Sequence, residues 1–424
     1  MNKIKQEYLN TWQSAYKKLN QKQREAVDTI DGPVMVIAGP GTGKTQLLAV
    51  RIGNILLNTD VFPHNILCLT YTEAGATAMR ERLTSFIGPD AYNVNFFTFH
   101  AFCNSVISEN PQYFGDFKAL QLVSDIELVE ILRTVFDNLA DEHPLKKLKG
   151  NEYNELNKLK QLFTIMKQEE WTSAYIHSKY EEYKEFVLDP ERSNCIWRVN
   201  RDGFKKGDIN PRLVNEALSK YTKLLGASEE LESYKKIMTE RERFDFQDMI
   251  LWVIEKFQQH DELLAKYQER YQYILVDEYQ DTNGSQNNLL FLLSDFWEKP
   301  NLFIVGDDDQ SIFRFQGANM NSIMEFKDKY QPKEIVLTEN YRSSQVILDS
   351  ASKLIENNLD RLSHKYSDLD KNLTEHRSVK PEFSPEPQFL AYQNFVQEEA
   401  GIIEKIINLN NQGVAWKDIA IIYS

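Results

Sequence analysis

The sequence predicts an α/β fold in which a parallel sheet flanked by helices is interrupted by a mainly helical insertion. From Gly32 to about Ser108, short apolar and β-branched runs alternate with longer helical stretches, the pattern of parallel βα units. Between about Pro111 and Glu240, Leu, Lys, Glu and Tyr recur at helical spacing with hardly any β-rich run. The α/β alternation then resumes, so the insertion divides one α/β unit into two segments of the chain.

The buried strands are predicted from apolar runs that lead into helical or polar stretches. Before the insertion these runs are VMVIA (34–38), ILCLT (66–70) and VNFFTF (94–99), followed by predicted helices over 44–57, 73–87 and about 100–109. After the insertion they are YILV (273–276), LFIV (302–305) and EIVL (334–337). DIAIIYS (418–424) predicts one more buried strand, within a second α/β unit that begins near Glu334.

These elements divide the chain of 424 residues into four segments. They are the first α/β unit in two parts (1–109 and 241–333), the helical insertion (110–240) and an incomplete second α/β unit (334–424). The length agrees with this division, because a domain typically takes about 100 to 200 residues.

Composition excludes several classes of protein. With 42% hydrophobic and 26% charged residues, the chain has the balance of a globular protein. Its net charge of −14 means that a nucleic-acid partner needs a local patch of positive potential. Cys68, Cys103 and Cys195 are far apart, which indicates no disulfide framework or zinc site and fits a reducing, cytoplasmic location. No apolar stretch approaches the roughly 18 to 20 residues that span a bilayer, so no membrane partner is expected.

The segment AGPGTGKT (38–45) directly follows the first strand and directly precedes a helix, the context that a phosphate-binding loop requires. Its glycines allow positive φ angles and close approach of backbone N–H groups to a phosphate. Lys44 would neutralise the β- and γ-phosphates, and the Thr45 hydroxyl would ligate Mg²⁺. The residues predicted to hold the phosphates are Ala38, which replaces the first glycine of the strict pattern, Gly39, Gly41, Thr42, Gly43, Lys44 and Thr45.

A second signal is YILVDEYQDT (273–282), in which an apolar strand ends in adjacent carboxylates. Asp277, at the strand tip, could hold Mg²⁺ through water, and Glu278 could orient and deprotonate the water that attacks the γ-phosphate. Taken alone, such a pair fits a solvated strand end better. Together with the phosphate-binding loop, it predicts a Walker B element.

A third signal is FIVGDDDQSIFRFQGA (303–318), another strand that leads into acidic residues. A strand end beside the first two would place Gln310 near the γ-phosphate and carry Phe313 and Phe315 away from the nucleotide. Ordinary core packing is the alternative for these two rings.

The three signals in this order resemble the UvrD/Rep/PcrA-type superfamily 1 DNA helicases, and the resemblance extends over most of the chain. VGDDDQSIFRFQGA (305–318) follows the family pattern nearly residue for residue. Further matching segments are LNQKQREAV (19–27, the Q motif), LCLTYTEAGATAMRERL (67–83, motif Ia), FFTFHAF (96–102, motif Ib), FDFQDMI (244–250, the return from the inserted subdomain) and LTENYRSS (337–344, motif IV).

The resemblance implies a RecA-like P-loop NTPase motor domain, an accessory subdomain at the helical insertion and the beginning of a second RecA-like domain. It implies ATP and Mg²⁺ as the nucleotide and the metal. In this family's arrangement, Gln23 would read the adenine edge and Tyr341 would stack on the adenine. Arg342 would reach the γ-phosphate from the second motor domain.

The resemblance also implies a DNA partner, either single-stranded DNA or a junction of duplex and single strand, with movement in the 3′→5′ direction. Tyr71, Phe313 and Phe315 match positions that stack on bases, and such stacking is worth about 1–3 kcal/mol per base. Thr98 and His100 match positions near the DNA backbone. Without the motif, a packed or surface histidine would be the better interpretation of His100.

The chain also departs from the family pattern. Motifs V and VI, which follow motif IV in the family, do not occur in the 424 residues, and the motif VI arginine is absent with them. We therefore expect an N-terminal portion of a helicase, which binds ATP and single-stranded DNA but hydrolyses ATP poorly.

Two other functions stay open at this point. The chain could be the helicase part of a helicase–nuclease, or a DNA-binding or assembly module without turnover. The paired presence of Lys44 and Glu278 favours catalysis. Within the insertion, WRVNRDGFKKGDINPR (197–212) could supply a local basic patch with interleaved aromatic rings, although a solvated loop fits it equally well.

Overall fold

The computed structural model describes residues 6–115, 117–146, 152–200, 203–311, 320–358, 361–365, 369–376 and 386–422. Within this part of the chain the strands are β1 (Val34–Ala38), β2 (Ile66–Thr70), β3 (Asn95–Thr98), β4 (Gln121–Leu122), β5 (Arg243–Phe244), β6 (Tyr273–Val276), β7 (Leu302–Gly306), β8 (Lys333–Leu337), β9 (Glu339–Asn340) and β10 (Thr374–Glu375).

The helices are grouped by the segment of chain to which they belong. Those before the insertion are α1 (Gln6–Lys17), α2 (Gln21–Asp28), α3 (Lys44–Asn58), α4 (Glu73–Ile87), α5 (Phe99–Glu109) and α6 (Pro111–Phe114). Those of the insertion are α7 (Asp125–Asp137), α8 (Glu152–Gln168), α9 (Ser173–Leu188), α10 (Pro211–Ser219), α11 (Thr222–Glu229) and α12 (Leu231–Glu240). Those that follow are α13 (Phe246–Gln259), α14 (Asp261–Arg270), α15 (Gly284–Ser294), α16 (Met320–Tyr330), α17 (Gln345–Ile355), α18 (Leu362–Lys365) and α19 (Phe395–Asn411).

A six-stranded parallel sheet in the order β3-β2-β6-β7-β1-β8 forms the centre of the molecule. Because successive strand residues point to opposite faces, Val36 and Cys68 join one hydrophobic core with α3 and α4. Ile37 and Leu69 join a second core with α5 and α13 on the other face. The predicted α/β class, a parallel sheet flanked by helices, is thereby confirmed.

Strand order determines where the three sequence signals meet. In this sheet β6, β7 and β1 are neighbours, and all three run in the same direction. Their carboxyl ends therefore lie at one edge, which is where open α/β sheets bind their ligands. The phosphate-binding loop, Asp277 and Asp307 each follow one of these three ends.

Two strand predictions were wrong in detail. EIVL, expected to open the second α/β unit, lies in β8, which pairs with β1 and extends the first sheet to Leu337. DIAIIYS forms no strand over its described residues, 418–422, where Ile421 and Ile422 are 58% and 95% exposed. An apolar run predicts a strand-like segment but does not specify its partner in a sheet. The segment boundaries themselves stay predictions.

The insertion has a hydrophobic core of its own, contributed mainly by α7, α8 and α12. The chain enters and leaves it through a short parallel pair, β4 with β5, so that its two connections lie side by side. Lys167 of α8 fixes the block to α13, because its ammonium lies 2.8 Å from Asp245 Oδ2 and 2.7 Å from Asp248 Oδ1. No helix within the described residues is both long enough and apolar enough to cross a bilayer.

Amide hydrogens of α19 are expected to exchange with solvent at least about tenfold faster than those of α3. None of the residues of α19 is buried, whereas ten residues of α3 are. Opening α19 therefore exposes little additional apolar surface and costs little free energy. Hydrogen–deuterium exchange followed by mass spectrometry measures both helices in one sample. Equal protection would show that α19 packs against another part of the protein.

Candidate nucleotide and DNA site

The phosphate-binding loop has the backbone that its glycines predict. Gly41 (φ 70°) and Gly43 (φ 87°) both adopt left-handed conformations, and α3 begins directly afterwards. Thr42 is fully buried, and its hydroxyl donates to the carbonyl of Gly39 (2.8 Å), which closes the loop on itself. The first N–H groups of α3 have no partner within the helix, so they are available to an anion.

Lys44 and Glu278 face each other across the end of the sheet. The Lys44 ammonium lies 2.6 Å from Glu278 Oε2, and Glu278 keeps about a third of its side chain exposed (35%). Glu278 adopts left-handed backbone angles (φ 49°, ψ 46°), uncommon for a residue with a Cβ and characteristic of strained functional positions. The cation predicted for the phosphates and the carboxylate predicted for the attacking water therefore share one site.

Asp277 lies between the end of β6 and Glu278. Burial, reinforced by the neighbouring charge of Glu278, raises the pKa of Asp277 to about 6. Its Oδ1 accepts from the backbone N–H of Glu278 (3.0 Å). The predicted metal ligands, the Thr45 hydroxyl and the Asp277 carboxylate, are hard oxygen donors of the kind that Mg²⁺ takes beside phosphate oxygens and water. The described residues contain no group of three or more His, Cys, Asp or Glu side chains able to hold a metal alone.

Gln280, which sequence reasoning missed, connects two of the strand ends. Its Nε2 donates to Glu278 Oε2 (2.9 Å), and its Oε1 accepts from the backbone N–H of Asp307 (3.0 Å). A Cβ at Gly306 would lie only 2.7 Å from Gln280 Oε1, so this contact requires glycine there. The sequence shows only a glutamine two residues after Glu278, and its burial and its two partners become visible in the structure alone.

Beside residues 41 and 42 of the loop, Gln23 and Tyr341 meet through Asn20. Gln23 is buried, donates to the carbonyl of Thr42 (2.9 Å) and accepts from the backbone N–H of Asn20 (3.0 Å). The hydroxyl of Tyr341 accepts from Asn20 Nδ2 (3.0 Å) and donates to Glu339 Oε2 (2.8 Å). The structure thus brings the two predicted adenine contacts together. These two bonds use one N–H and one oxygen lone pair of the Gln23 amide, so a second N–H and a second lone pair are left to read an adenine edge.

Asn340 places the motif IV segment on the loop, and sequence reasoning missed it as well. Its amide donates to the carbonyl of Pro40, and its Oδ1 accepts from the backbone N–H of Arg342 (2.9 Å). The N–H of Tyr341 donates to the carbonyl of Gly41 (2.9 Å). A Cβ at Gly41 would lie 2.7 Å from the Cβ of Arg342, which shows how closely this arginine's backbone approaches the phosphate-binding loop.

Arg51 holds the helix that carries Gln23 against the helix that follows the loop. It is fully buried, and its guanidinium donates to the carbonyls of Ala26, Thr29 and Ile30, at 2.6, 2.5 and 3.1 Å. It also lies over the ring of Phe303, 4.1 Å from the centroid. Burial lowers the pKa of Arg51 to about 9. The position of α2 relative to α3 is therefore fixed from within the core.

Three of the predicted DNA residues line one cavity of about 520 Å³ between the first α/β unit and the insertion: Tyr71, Thr98 and His100. Thr98 caps α5 and donates to Glu73 Oε1 (3.1 Å). Burial lowers the pKa of His100, which favours the neutral ring. Phe246, which sequence reasoning missed, also lines the cavity, 55% exposed, with its ring 5.8 Å from that of His100. Phe313 and Phe315 lie outside the described residues.

The basic stretch of the insertion is described only in part. Trp197 and Phe204 stack on each other (centroids 5.3 Å apart), and the indole N–H of Trp197 is buried without a partner in the described residues. The two rings therefore contact one another, which fits a structured loop as well as it fits a surface for bases.

Comparison with known proteins gives two family matches and many relatives. The model of the UvrD/REP helicase N-terminal domain matches residues 19–331, and that of the UvrD-like helicase C-terminal domain matches residues 335–424. ATP-dependent DNA helicase PcrA of Leuconostoc citreum is 32% identical over 350 residues, 82% of this chain and 40% of the relative. The PcrA of Staphylococcus aureus strain Mu50 is 30% identical over 345 residues, 81% of this chain and 40% of the relative. The matched part of this chain spans about 40% of the length of these relatives.

Proposed function

Because the chain belongs to the UvrD/Rep helicase family, we propose that it is the nucleotide-binding and DNA-binding part of an ATP-dependent DNA helicase. The observation that carries this proposal is the pairing of Lys44 with Glu278 (2.6 Å) at the carboxyl edge of the sheet, beside a loop with phosphate-binding geometry. A cation for the phosphates and a base for water at one site are what ATP hydrolysis requires.

In the proposed mechanism each group has one task. Backbone N–H groups of the loop and the Lys44 ammonium bind the β- and γ-phosphates, and Glu278 accepts the proton of the attacking water. Thr45 and Asp277 would hold Mg²⁺, which when bound neutralises charge on the phosphate oxygens. On ATP binding, Lys44 transfers its contact from Glu278 to phosphate, which frees the carboxylate to take up water.

The remaining nucleotide contacts come from outside the loop. Gln310 would contact the γ-phosphate from the end of β7, and Arg342 would reach it from the motif IV segment. Tyr341 would stack on the adenine, whose edge Gln23 would read. The hydrogen bonds of Asn20 to both of these residues support a common adenine site on that side of the loop.

We propose single-stranded DNA, or a junction of single strand and duplex, as the second substrate, with 3′→5′ movement. The aromatic rings of Tyr71 and Phe246 and the side chains of Thr98 and His100 open on one cavity, which suits bases stacked along a strand. The cavity lies at the same sheet edge as the nucleotide residues.

We also propose that this chain hydrolyses ATP slowly. A cation from a second domain can be worth about 10³ to 10⁵ in rate, and Arg342 is the predicted source of that cation here. The region after Arg342 includes α19, none of whose residues is buried, and Phe389, which is 97% exposed. The backbone of Arg342 is held at the loop, but its side chain is exposed, and the following region packs too little in its described residues to fix the guanidinium at the γ-phosphate.

Replacing Tyr71 by Ala is expected to weaken binding of an oligo-dT strand at least about fivefold, the lower end of what one base-stacking ring contributes. Fluorescence anisotropy with a labelled oligonucleotide measures this change. The affinity of the unmodified chain and of the Tyr71 variant for the strand should fall as the salt concentration rises. Tyr92→Ala is the matched control, because Tyr92 is 72% exposed and does not line the cavity. Equal affinities of the Tyr71 variant and the unmodified chain, or stronger binding of duplex than of oligo-dT, would argue against the proposed DNA site.

A further inference from the structure

One lysine contacts all three carboxylates that follow β7. The ammonium of Lys371 lies 2.9 Å from Asp307 Oδ1 and 2.9 Å from Asp309 Oδ2, and it also contacts Asp308. Its side chain is only 6% exposed, and those of Asp307 and Asp308 are almost completely buried. We call Asp307, Asp308 and Asp309 the triple-aspartate cluster. Lys371 belongs to the segment 369–376, more than sixty residues further along the chain, so the contact joins two separate parts of the protein.

From the triple-aspartate cluster, hydrogen bonds continue to the nucleotide residues. Asp307 Oδ2 accepts from Gln310 Nε2 (2.8 Å), while its Oδ1 contacts Lys371. The backbone N–H of Asp307 donates to Gln280 Oε1, whose Nε2 donates to Glu278 Oε2. An uninterrupted series of polar contacts therefore connects Lys371 to both Gln310 and the carboxylate paired with Lys44.

Removing Lys371 would change the orientation of the neighbouring carboxylates as well as the stability of the protein. Three carboxylates facing inward need a cation, and a buried charge left without one reorients, takes up water or is neutralised. Burial alone would lower the pKa of Lys371, but the triple-aspartate cluster outweighs it and raises that pKa, so the side chain is charged at neutral pH. Because Asp307 uses one oxygen for Lys371 and the other for Gln310, reorientation of its carboxylate would release Gln310.

We propose that Lys371 is a positioning residue that fixes the side chain of Gln310, and through Asp307 and Gln280 that of Glu278, toward the γ-phosphate of bound ATP. The proposal rests on the proposed function, since it assigns a task within the same nucleotide site. Gln310 and Lys371 line one cavity of about 480 Å³ together with Gly39 and Pro40, so both lie beside the first residues of the phosphate-binding loop. The segment that carries Lys371 also touches the loop, because Leu373 packs on Gly39.

Arg361 supplies a comparison within the same cluster. Its guanidinium binds Asp309 through two hydrogen bonds, Nε to Oδ1 at 2.7 Å and a second nitrogen to Oδ2 at 2.9 Å. Among the described residues, it forms no observed hydrogen bond with Asp307 or Gln310. Removing Arg361 therefore takes one cation from the triple-aspartate cluster without touching the connection to Gln310, which makes it the matched control.

The test is the ability of the protein to distinguish a nucleotide with a γ-phosphate from one without. Affinities of the full chain for mant-AMPPNP and mant-ADP are measured by fluorescence titration in the presence of Mg²⁺. Lys371→Met is expected to lower the preference for mant-AMPPNP about tenfold, as expected for losing one hydrogen bond to a charged group, with mant-ADP affinity nearly unchanged. Lys371→Arg should restore most of the preference, and Arg361→Gln should leave it within about twofold.

Because Lys371→Met could also unfold the protein, its thermal midpoint of unfolding is measured. A second variant removes one positive and one negative charge together. Lys371→Met combined with Asp308→Asn keeps the net charge of the site, and the amide oxygen introduced by Asp308→Asn can still accept from the backbone N–H of Leu362. If this double variant folds and prefers mant-AMPPNP over mant-ADP as strongly as Asp308→Asn alone does, Lys371 is only a structural residue and the inference is wrong. Equal losses of preference in Lys371→Met and Arg361→Gln would also overturn it.

Failure of the inference can be told apart from failure of the proposed function. If Gln310→Ala loses the preference for mant-AMPPNP but Lys371→Met keeps it, the proposed nucleotide site is supported and the proposed positioning role of Lys371 is wrong. If the unmodified chain binds neither nucleotide, or binds both without dependence on Lys44, the proposed function itself is wrong and the role of Lys371 falls with it.

Discussion

Replacing Glu278 by Gln is expected to slow ATP hydrolysis by about 10² to 10⁴-fold while ATP binding stays nearly unchanged. Glutamine has the shape of glutamate, and its amide oxygen can still accept from Gln280 Nε2, so the end of β6 should keep its structure. It cannot take a proton from water. Single-turnover hydrolysis with enzyme in excess over labelled ATP measures the chemical step even when turnover is slow.

Glu298→Gln serves as the control for this substitution, because Glu298 is an exposed glutamate in the turn before β7. It should hydrolyse ATP at the rate of the unmodified chain. A Glu278→Gln protein that keeps more than about a tenth of that rate would show that another group activates the water. Loss of ATP binding in the same variant would instead assign Glu278 to the structure of the site.

Replacing Lys44 by Ala is expected to weaken ATP binding at least tenfold, which corresponds to about 1.4 kcal/mol or more. The ammonium lies at the start of α3, within reach of phosphates bound by the loop, and no other cation is observed to contact Glu278 among the described residues. Removing Lys44 leaves Glu278 unpaired, but that carboxylate is 35% exposed and can be solvated, so the fold should persist. Calorimetry or a mant-nucleotide titration gives the affinity.

Lys22→Ala is the matched control here, since Lys22 is 58% exposed and, among the residues that the structure describes, pairs with Glu25 alone, on the surface of α2. Its affinity for ATP should match that of the unmodified chain. Indistinguishable affinities of the Lys44 and Lys22 variants would remove the main support for a nucleotide site at residues 38–45.

Features that depend on residues adjacent in the chain could be predicted from the sequence. A strand, a glycine-rich turn and a helix are consecutive around Lys44, so both the loop and its place after β1 could be predicted. Parallel strands that end in polar residues indicated that Glu278 and Gln310 belong to one edge of a sheet. The fold class was correct for the same reason, because hydrophobic periodicity reports burial directly.

Features that depend on contacts between distant residues could not be predicted in this way. Asn340 binds the carbonyl of Pro40, and Lys371 binds the triple-aspartate cluster, across large separations in sequence. A single polar residue is not part of a periodic pattern, so the sequence does not indicate which distant residue it binds. The same limit explains β8, since the apolar run at 334–337 was recognised but its pairing with β1 was not.

The central claim is that residues of the phosphate-binding loop and of motif IV form one ATP site, and a structure of the chain with AMPPNP and Mg²⁺ tests it most directly. The account predicts β-phosphate oxygens bound by backbone N–H groups of residues 41–45 and by Lys44, with the adenine against Tyr341. It would be contradicted if the loop held no phosphate and the nucleotide lay instead in the cavity of about 480 Å³ beside Leu348 and Lys371.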